Sequence, residues 1–394
     1  MPTGSAPPPS AQSLVVIPFL EEDPRLVVRT VEIAASHPAV GEVVAVAGGH
    51  RPTNLAVTAA LSNDLRAKVI DQQRIGSRRP GKGDAMNTGL RYFLEQTSYR
   101  AIHFFDSEIR TFGADWIDRA ETAAALGYDA IRHYYPRSAT DAMITWMVVR
   151  PGFALLWPHS VLPWIQQPLS GELMFTRDAA QSLAADPLVS AQSDWGIDTV
   201  LTYASAAHGF SLYESYVSAG KDHALYGTMA DIKTMMLECL AALQSLRQSP
   251  PPRSIVHRVE YPHAVSTNIA EKIGFDIEAT QLLLTSGWTE RQRELLNRHF
   301  PAEVAAGAKS WQLWPQTSFL DEPTWLATLR ALLDHFQLGD PDWEELAFRL
   351  WVGRVLQYTL TIAIRGHSFA IAYLNQMVTR AMAGAKTLDT PSRS

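Results

Sequence analysis

The sequence is poor in cysteine and contains no long apolar run. Cys239 is the only cysteine among 394 residues, so an internal disulfide and a cysteine-rich zinc site are both excluded. No window approaches the ~18 uninterrupted apolar residues of a membrane-spanning helix, and the N-terminus lacks the basic and apolar regions of a secretion signal. These features predict a cytoplasmic protein without a membrane anchor.

Positive charge is not in excess either. The chain carries 34 Lys and Arg residues against 40 Asp and Glu residues, a formal net charge of −6. A mildly acidic chain is a poor candidate for non-specific binding to nucleic acid or to anionic lipid, so neither partner is expected. Apolar residues make up 46% of the chain and charged residues 19%, which is the balance of a globular protein.

The order of secondary-structure patterns divides the chain in two. Apolar runs typical of buried strands at Ser13–Phe19, Glu42–Ala47, Lys68–Asp71 and Ala101–Phe105 alternate with helical patterns such as Leu26–Ser36, Leu55–Leu65 and Gly81–Leu94. This alternation predicts an α/β fold with a mostly parallel central sheet. After about residue 230 nearly every segment has helical spacing, which predicts an all-helical C-terminal domain.

The domain boundaries follow from this change of pattern. Residues 1–12 are rich in Pro, Ser and Ala and carry no charged side chain, so we predict a disordered tail there. The α/β domain is predicted for residues 13–230, the helical domain for 231–385 and a second tail for 386–394.

Two carboxylates follow the strand that ends near Phe105. Asp106 and Glu108 stand two residues apart, and open α/β sheets bind ligands at the carboxyl ends of their strands. A divalent cation between two such acids would relieve their repulsion and bridge to a phosphate. The same pattern is compatible with two solvated acids in a loop.

A basic, glycine-containing segment precedes the third helical pattern. Residues 78–87 read RRPGKGDAMN, so backbone N–H groups, a helix N-terminus and Lys82 could face a diphosphate. The segment lacks the spacing of a Walker loop and of a dinucleotide-binding loop. An ordinary basic turn remains the alternative.

Three further segments contain side chains suited to a polar ligand. In Ser193–Asp198 an aromatic ring flanked by acids suits a sugar, although the segment is also a good helix cap. His223 could bind a metal ion, although a lone histidine is more often structural. Arg137 could hold a carboxylate in a bidentate fork, although a surface ion pair explains it as well.

Taken together, seven segments in one order closely resemble the mannosylglycerate synthases. They are RPGKGDAMN, IHFFDSE, RHYYPR with the following TDAMITWM, GFALLWPH, QPLSGEL, SDWGIDT and GKDHALYG. The resemblance continues through GDPDWEEL, LWVGRVLQYT and AIRG and covers the chain from Ser13 to about residue 380.

The resemblance implies a GT-A glycosyltransferase domain followed by helices. It implies transfer of mannose from GDP-mannose to the 2-hydroxyl of D-glycerate, or of lactate or glycolate, with retention of the α configuration. The product would be α-mannosylglycerate, a compatible solute. A divalent metal (Mn²⁺, Mg²⁺ or Ca²⁺), a nucleotide sugar and a small hydroxy acid would be bound, and a homo-oligomer is expected.

The family pattern also implies roles for individual positions. The metal ligands would be Asp106, Glu108 and His223. The donor would be bound by Pro18, Phe19, Leu20, Glu22, Gln72, Lys82, Gly83, Asp84, Asp106 and Ser107. The acceptor would be bound by Arg137, Thr145, Trp195, Gly196, Asp198 and Tyr226. Catalytic contacts are expected from Asp198, Arg137, Tyr226 and Leu169.

Two positions depart from the family pattern. Glu108 stands where the family has Asp, so the cation would be reached through different oxygens or through a water. Leu20 stands where the family has Lys, which removes one cationic contact to the donor. Another donor such as GDP-glucose therefore stays open.

Two other classes of protein share parts of this pattern. A nucleotidyltransferase would use the same α/β domain and metal acids, but residues 19–22, FLEE, are not the glycine- and arginine-rich loop expected of one. A non-catalytic sugar-nucleotide-binding protein is the other alternative, made possible by Glu108 and Leu20.

Overall fold

A computed structural model describes residues 12–62, 66–222, 228–261, 273–311 and 316–386. The predicted tails therefore lie almost wholly outside the described residues, and so do His223 and Tyr226. In the part of the chain that is described, no helix is both long and apolar enough to cross a membrane.

In the described part of the chain, eight strands form one mixed sheet. They are β1 Ser13–Phe19, β2 Val40–Ala47, β3 Ala67–Asp71, β4 Ala101–Phe104, β5 Ala130–Tyr134, β6 Leu173–Thr176, β7 Leu212–Tyr216 and β8 His257–Val259. Their spatial order is β3-β2-β1-β4-β6-β5-β7-β8. Only β6 runs antiparallel to its neighbours, so the prediction of a mostly parallel sheet is confirmed.

The predicted strands coincide with observed ones because both faces of the sheet are covered. Strand β1 has the bounds predicted from its apolar run, and all of its residues except Pro18 are buried. Strand β2 begins at Val40, two residues before the predicted start, because Val40 is also buried. Runs that are apolar throughout are what strands buried on both faces require.

Fifteen α-helices are described. They are α1 Pro24–Ser36, α2 Arg51–Leu61, α3 Lys82–Gln96, α4 Ala114–Ala125, α5 Arg150–Leu156, α6 Arg177–Ala185, α7 Pro187–Ala191, α8 Ile197–His208, α9 Lys233–Leu246, α10 Ile277–Leu282, α11 Glu290–His299, α12 Ala302–Ser310, α13 Glu322–His335, α14 Pro341–Thr361 and α15 His367–Lys386. A π-helical turn at Thr145–Val149 precedes α5.

Local capping explains where two helices differ from their predicted bounds. Helix α1 begins at Pro24 rather than Leu26, because the Asp23 carboxylate accepts a hydrogen bond from the Arg25 N–H at 2.9 Å. Such a cap satisfies a backbone donor that would otherwise be unpaired. The second helix was predicted about four residues too late. It begins at Arg51 with a proline in its first turn, a position that proline favours.

The chain forms two compact units. The first comprises residues 1–136, 169–224 and 252–266 and holds the whole sheet with α1–α4 and α6–α8. The second comprises residues 137–168, 225–251 and 267–394 and is helical in its described part. A helical C-terminal region is thus confirmed, and the segment 137–168 groups with it.

The second unit is built around buried tryptophans. Trp325, Trp343 and Trp351 are at most 1% exposed. The indole N–H of Trp325 donates to the Met147 carbonyl at 2.8 Å. Burial of each large ring contributes several kcal/mol to the free energy of folding, at roughly 25 cal/mol per Å² of apolar surface. Burial this complete gives these tryptophans a structural role.

A charged cluster stabilises the amino-terminal edge of the sheet. The Glu121 carboxylate lies 2.9 Å from His103 Nε2 and 2.9 Å from Arg100 Nη2, and it accepts a hydrogen bond from the Ser13 hydroxyl. Burial alone would raise the pKa of Glu121, but the hydrogen bonds of His103 and Ser13 and the charge of Arg100 lower it to about 2. The ionised form therefore stabilises the fold.

We expect Glu121→Gln to destabilise the protein in a pH-dependent way. Because the folded-state pKa lies below the ordinary value of 4.5, the carboxylate contributes fully above that pH and loses its contribution as the pH falls towards 2. At pH 7 the free energy of unfolding should drop by about 2–3 kcal/mol. Urea unfolding at several pH values, with the exposed Glu95→Gln as control, measures this; an equal loss at pH 3 and pH 7 would contradict it.

Candidate active site

The carboxyl ends of the parallel strands bring four predicted residues to one edge of the sheet. Glu22 follows β1, Gln72 follows β3, and Asp106 and Glu108 follow β4. This edge is where parallel α/β sheets place their ligands. The described residues therefore form a candidate ligand site of the type expected from the sequence.

The Lys82 ammonium group lies between two carboxylates. Lys82 is the first residue of α3, and its Nζ is 3.0 Å from Asp106 Oδ1 and 3.1 Å from Asp198 Oδ2. The Lys82 side chain is 9% exposed and that of Asp198 is 5% exposed. Three segments that are far apart in the sequence thus meet through one cation.

A second lysine contacts the same aspartate from the other side. Lys221 Nζ is 2.5 Å from Asp106 Oδ2 and 2.7 Å from Glu172 Oε1. Glu172 stands directly before β6 and is completely buried. The sequence analysis assigned no role to Lys221 or to Glu172. Both lie in segments that resemble the family, GKDHALYG and QPLSGEL, and this was the one indication of their importance.

These contacts control protonation at the site. Burial alone would raise the pKa of Asp106, but the ammonium groups of Lys221 and Lys82 hold it well below its usual range. Burial alone would lower the pKa of Lys82, but Asp106 and Asp198 raise it above its ordinary value. Asp106 is therefore ionised and Lys82 is protonated at neutral pH.

Asp198 has one carboxylate oxygen left for a ligand. Its Oδ2 accepts from Lys82, whereas its buried Oδ1 has no hydrogen-bond partner among the described residues. Burial raises the pKa of Asp198 despite the nearby Lys82. A buried acceptor without a donor is costly, by about 1–3 kcal/mol, and a hydroxyl group from a ligand would satisfy it.

The aromatic side chain predicted to face a sugar lies beside Lys82. The Lys82 ammonium is 5.8 Å from the centre of the Trp195 ring. The neighbouring Gly196 donates its N–H to Asp194 Oδ1 at 2.8 Å, and Gly196 caps α8, which carries Asp198. The segment thus acts both as a helix cap and as part of the candidate site.

Close packing of backbones joins the site segments. A Cβ on Gly83 would lie 2.3 Å from the Gln192 carbonyl oxygen, so this position of α3 must lack a side chain. A Cβ on Gly171 would lie 2.4 Å from Lys82 Nζ and 2.6 Å from Asp106 Oδ1. The backbone at Gly171 therefore lies against the side chains of Lys82 and Asp106, while a role for the nearby Leu169 stays a prediction.

Asp84 holds the loop before α3. Its buried carboxylate accepts from the N–H groups of Ile75 and Gly76 at 3.0 and 2.8 Å and from Arg74 Nη1 at 2.6 Å. The structure thus gives Asp84 an internal scaffolding role, while a direct contact with the donor stays a prediction.

The remaining predicted donor-binding residues lie at the end of β1 or directly after β1 and β4. Pro18 is half-buried and Phe19 is buried at the end of β1, and Leu20 is 47% exposed. The Leu20 N–H donates to Glu22 Oε2 at 2.6 Å. The buried Ser107 hydroxyl has no partner among the described residues.

The carboxylates at this edge have the chemistry of a divalent-cation site. Burial, followed by the charge of Asp106, raises the pKa of Glu108 and of Glu22. Oxygen donors that repel one another in this way suit a hard cation. Among the described residues, no group of three His, Cys, Asp or Glu side chains could by itself hold a metal ion, and His223 lies outside them.

The predicted acceptor residues Arg137 and Thr145 belong to the second unit. Arg137 Nη1 donates to Asp141 Oδ2 at 2.9 Å, and Asp141 Oδ1 accepts from the Ala142 N–H at 2.6 Å. Thr145 is 5% exposed and begins the π-helical turn. Tyr226 lies outside the described residues. A cavity of about 370 Å³ in this unit, lined by His299, His335 and Trp343 among others, contains none of the predicted site residues.

The fold and its similarity to known proteins define the class. The first unit has the GT-A architecture of nucleotide-sugar-dependent glycosyltransferases. Solved structures of glucosyl-3-phosphoglycerate synthase from Mycobacterium tuberculosis match 61% of this chain and 80% of theirs with a TM-score of 0.50, at 20 to 21% identity. One of these contains Mg²⁺ and UDP, and another contains Mn²⁺, UDP and phosphoglyceric acid.

Sequence comparison identifies the family. Residues 13–245 match the glycosyltransferase-domain model of mannosylglycerate synthase, and residues 269–378 match the model of its C-terminal domain. The mannosylglycerate synthase of Rhodothermus marinus is 50% identical over 93% of this chain and 94% of its own length. That of Selaginella moellendorffii is 48% identical over 93% of this chain and 88% of its own. The chain belongs to the mannosylglycerate synthase family and is a glycosyltransferase.

We expect Gly171→Ala to impair sugar transfer without unfolding the protein. The added methyl group would displace the Lys82 ammonium and the Asp106 carboxylate, which are side-chain groups rather than backbone. The transfer rate should fall at least tenfold, while the protein stays folded at the assay temperature. Gly384→Ala, where a Cβ meets nothing within 4 Å, is the control. A fully active Gly171→Ala variant would remove the Lys82–Asp106 contact from the mechanism.

Proposed function

We propose that the enzyme transfers mannose from GDP-mannose to the 2-hydroxyl of D-glycerate with retention of the α configuration. The product is then α-mannosylglycerate, a compatible solute. The family supports this reaction. The observation that carries it is the buried Lys82 between Asp106 and Asp198, because it places a cation for a diphosphate beside an unpartnered acceptor for a hydroxyl.

In this proposal Asp106 and Glu108, together with His223, hold a divalent cation. A divalent cation held there would supply Lewis-acid stabilisation for the departing nucleoside diphosphate. The chain itself supplies Lys82 and Lys221, whose ammonium groups lie within 3.0 Å of Asp106. Fixed cations at the position where negative charge develops stabilise the transition state without reorganisation.

Asp198 orients the reacting sugar hydroxyls in this proposal. Its Oδ1, which has no partner among the described residues, accepts a hydrogen bond from a hydroxyl of the donor sugar or of the acceptor, while Lys82 fixes its Oδ2. Orientation of reacting groups can contribute several kcal/mol to the rate. Because the sequence marks no carboxylate as the nucleophile, we favour front-face substitution, with the leaving phosphate taking the acceptor proton, over a covalent intermediate on Asp198.

The acceptor carboxylate requires a cation, and Arg137 fits that need. Its planar guanidinium can bind a carboxylate bidentately, and Asp141 holds one of its nitrogens at 2.9 Å. In the proposal Thr145 adds a hydrogen bond to the same carboxylate, and Tyr226 contacts the acceptor hydroxyls.

Product analysis tests the proposed function. The enzyme is incubated with Mn²⁺ and a panel of sugar nucleotides, with D-glycerate or its methyl ester, and the product is examined by NMR. We expect an α-mannoside of D-glycerate from GDP-mannose and none from the ester, which lacks the charge that Arg137 would bind. In a parallel incubation with GTP and mannose 1-phosphate, release of pyrophosphate would indicate a nucleotidyltransferase. Binding of the sugar nucleotide without any product would indicate a non-catalytic protein; either result overturns the proposal.

We expect Glu108 to serve as a metal ligand in place of the family's aspartate. Glu108→Asp should keep activity, since its carboxylate can still approach a hard cation at about 2.0–2.6 Å. Glu108→Gln should raise the Mn²⁺ concentration needed for half-maximal rate at least tenfold, because a neutral amide is the weaker ligand. Titration of Mn²⁺ measures both variants. A wild-type response of Glu108→Gln would exclude this carboxylate from the metal site.

A further inference from the structure

Glu172 has hydrogen-bond partners on both of its carboxylate oxygens. Its Oε2 accepts from the Ser170 hydroxyl at 2.6 Å and from the Tyr135 hydroxyl at 3.2 Å, and its Oε1 accepts from Lys221 at 2.7 Å. The residue is completely buried. Because both oxygens have protein partners, its position is fixed by the fold rather than by a ligand.

The buried Lys221 ammonium needs Glu172 as a second anionic partner. Asp106 already interacts with Lys82 at 3.0 Å, so Lys221 shares that carboxylate with another ammonium group. The Lys221 side chain is only 8% exposed, and burying a cation is costly unless an anion balances it. Glu172 supplies the second anion.

We propose that Glu172 is a positioning residue that fixes the Lys221 ammonium beside Asp106, where Lys221 provides a metal-independent contact for the diphosphate of the nucleotide sugar. This inference rests on the proposed function, since it assumes that a nucleoside diphosphate binds at this edge of the sheet. Glu172 itself touches no substrate. Its effect on binding passes through Lys221.

Charge and position predict opposite results when Glu172 is neutralised. If Glu172 acted only through its negative charge, Glu172→Gln would bind an anionic ligand more tightly, because a repulsive charge is lost. If it acts by holding Lys221, the same variant binds the ligand more weakly. A merely structural role would weaken the binding of a nucleoside and of its diphosphate alike.

The test measures GDP and guanosine binding by calorimetry, with Mg²⁺ and with a chelator instead. We expect wild type to bind GDP in both conditions and Glu172→Gln to bind it five- to tenfold more weakly with the chelator, while guanosine binding is unchanged. Lys221→Met should lose at least as much GDP affinity with the chelator as Glu172→Gln does. The double variant, which carries both substitutions, should lose no more affinity than Lys221→Met alone. Glu121→Gln, which removes a buried carboxylate at the other edge of the sheet, should bind GDP like wild type.

The outcomes separate this inference from the proposed function. Unchanged or tighter GDP binding by Glu172→Gln overturns the inference, as does an additive loss in the double variant. If wild type binds GDP only with Mg²⁺, the contact depends on the metal, and the inference fails while the proposed function stands. If wild type binds no GDP in either condition, the proposed function fails as well.

Discussion

The candidate site depends on one buried ammonium group with two carboxylate partners. Lys82 lies within 3.1 Å of both Asp106 and Asp198, and none of the three side chains is mostly exposed. Opposite charges that are buried together interact strongly, but only if each has its partner. Removal of Lys82 would leave Asp198 without this ammonium partner, so the three segments that carry the group must be held in place by the fold.

Backbone packing supplies that constraint. The N-terminal turn of α3 lies so close to residues 192–193 that Gly83 has no room for a side chain, and the Asp84 N–H donates to the Ser193 carbonyl at 3.0 Å. The Asp84 carboxylate then holds the N–H groups of Ile75 and Gly76. Lys82 therefore projects from a rigid turn, which is what an electrostatically preorganised site requires.

Local patterns in the sequence predicted the sheet and the position of Asp106, because buried parallel strands are continuous apolar runs and ligands bind where they end. The partners of Lys221 could not be found in this way. Lys221 is 115 residues from Asp106 and 49 from Glu172, and no local spacing encodes such pairs. The grouping of residues 137–168 with the helical unit is equally non-local. The roles of His223 and Tyr226 remain predictions from family resemblance.

A double-mutant cycle on Lys82 and Asp198 tests the central claim most directly. The free energies of unfolding of Lys82→Met, Asp198→Asn and the double variant are compared with wild type in urea. If the buried pair organises the site, each single variant has a lower free energy of unfolding than wild type. The double variant then loses less of this free energy than the two single variants together, with a coupling free energy of about 2–3 kcal/mol. Additive losses would show that the two side chains do not depend on each other and would contradict the account.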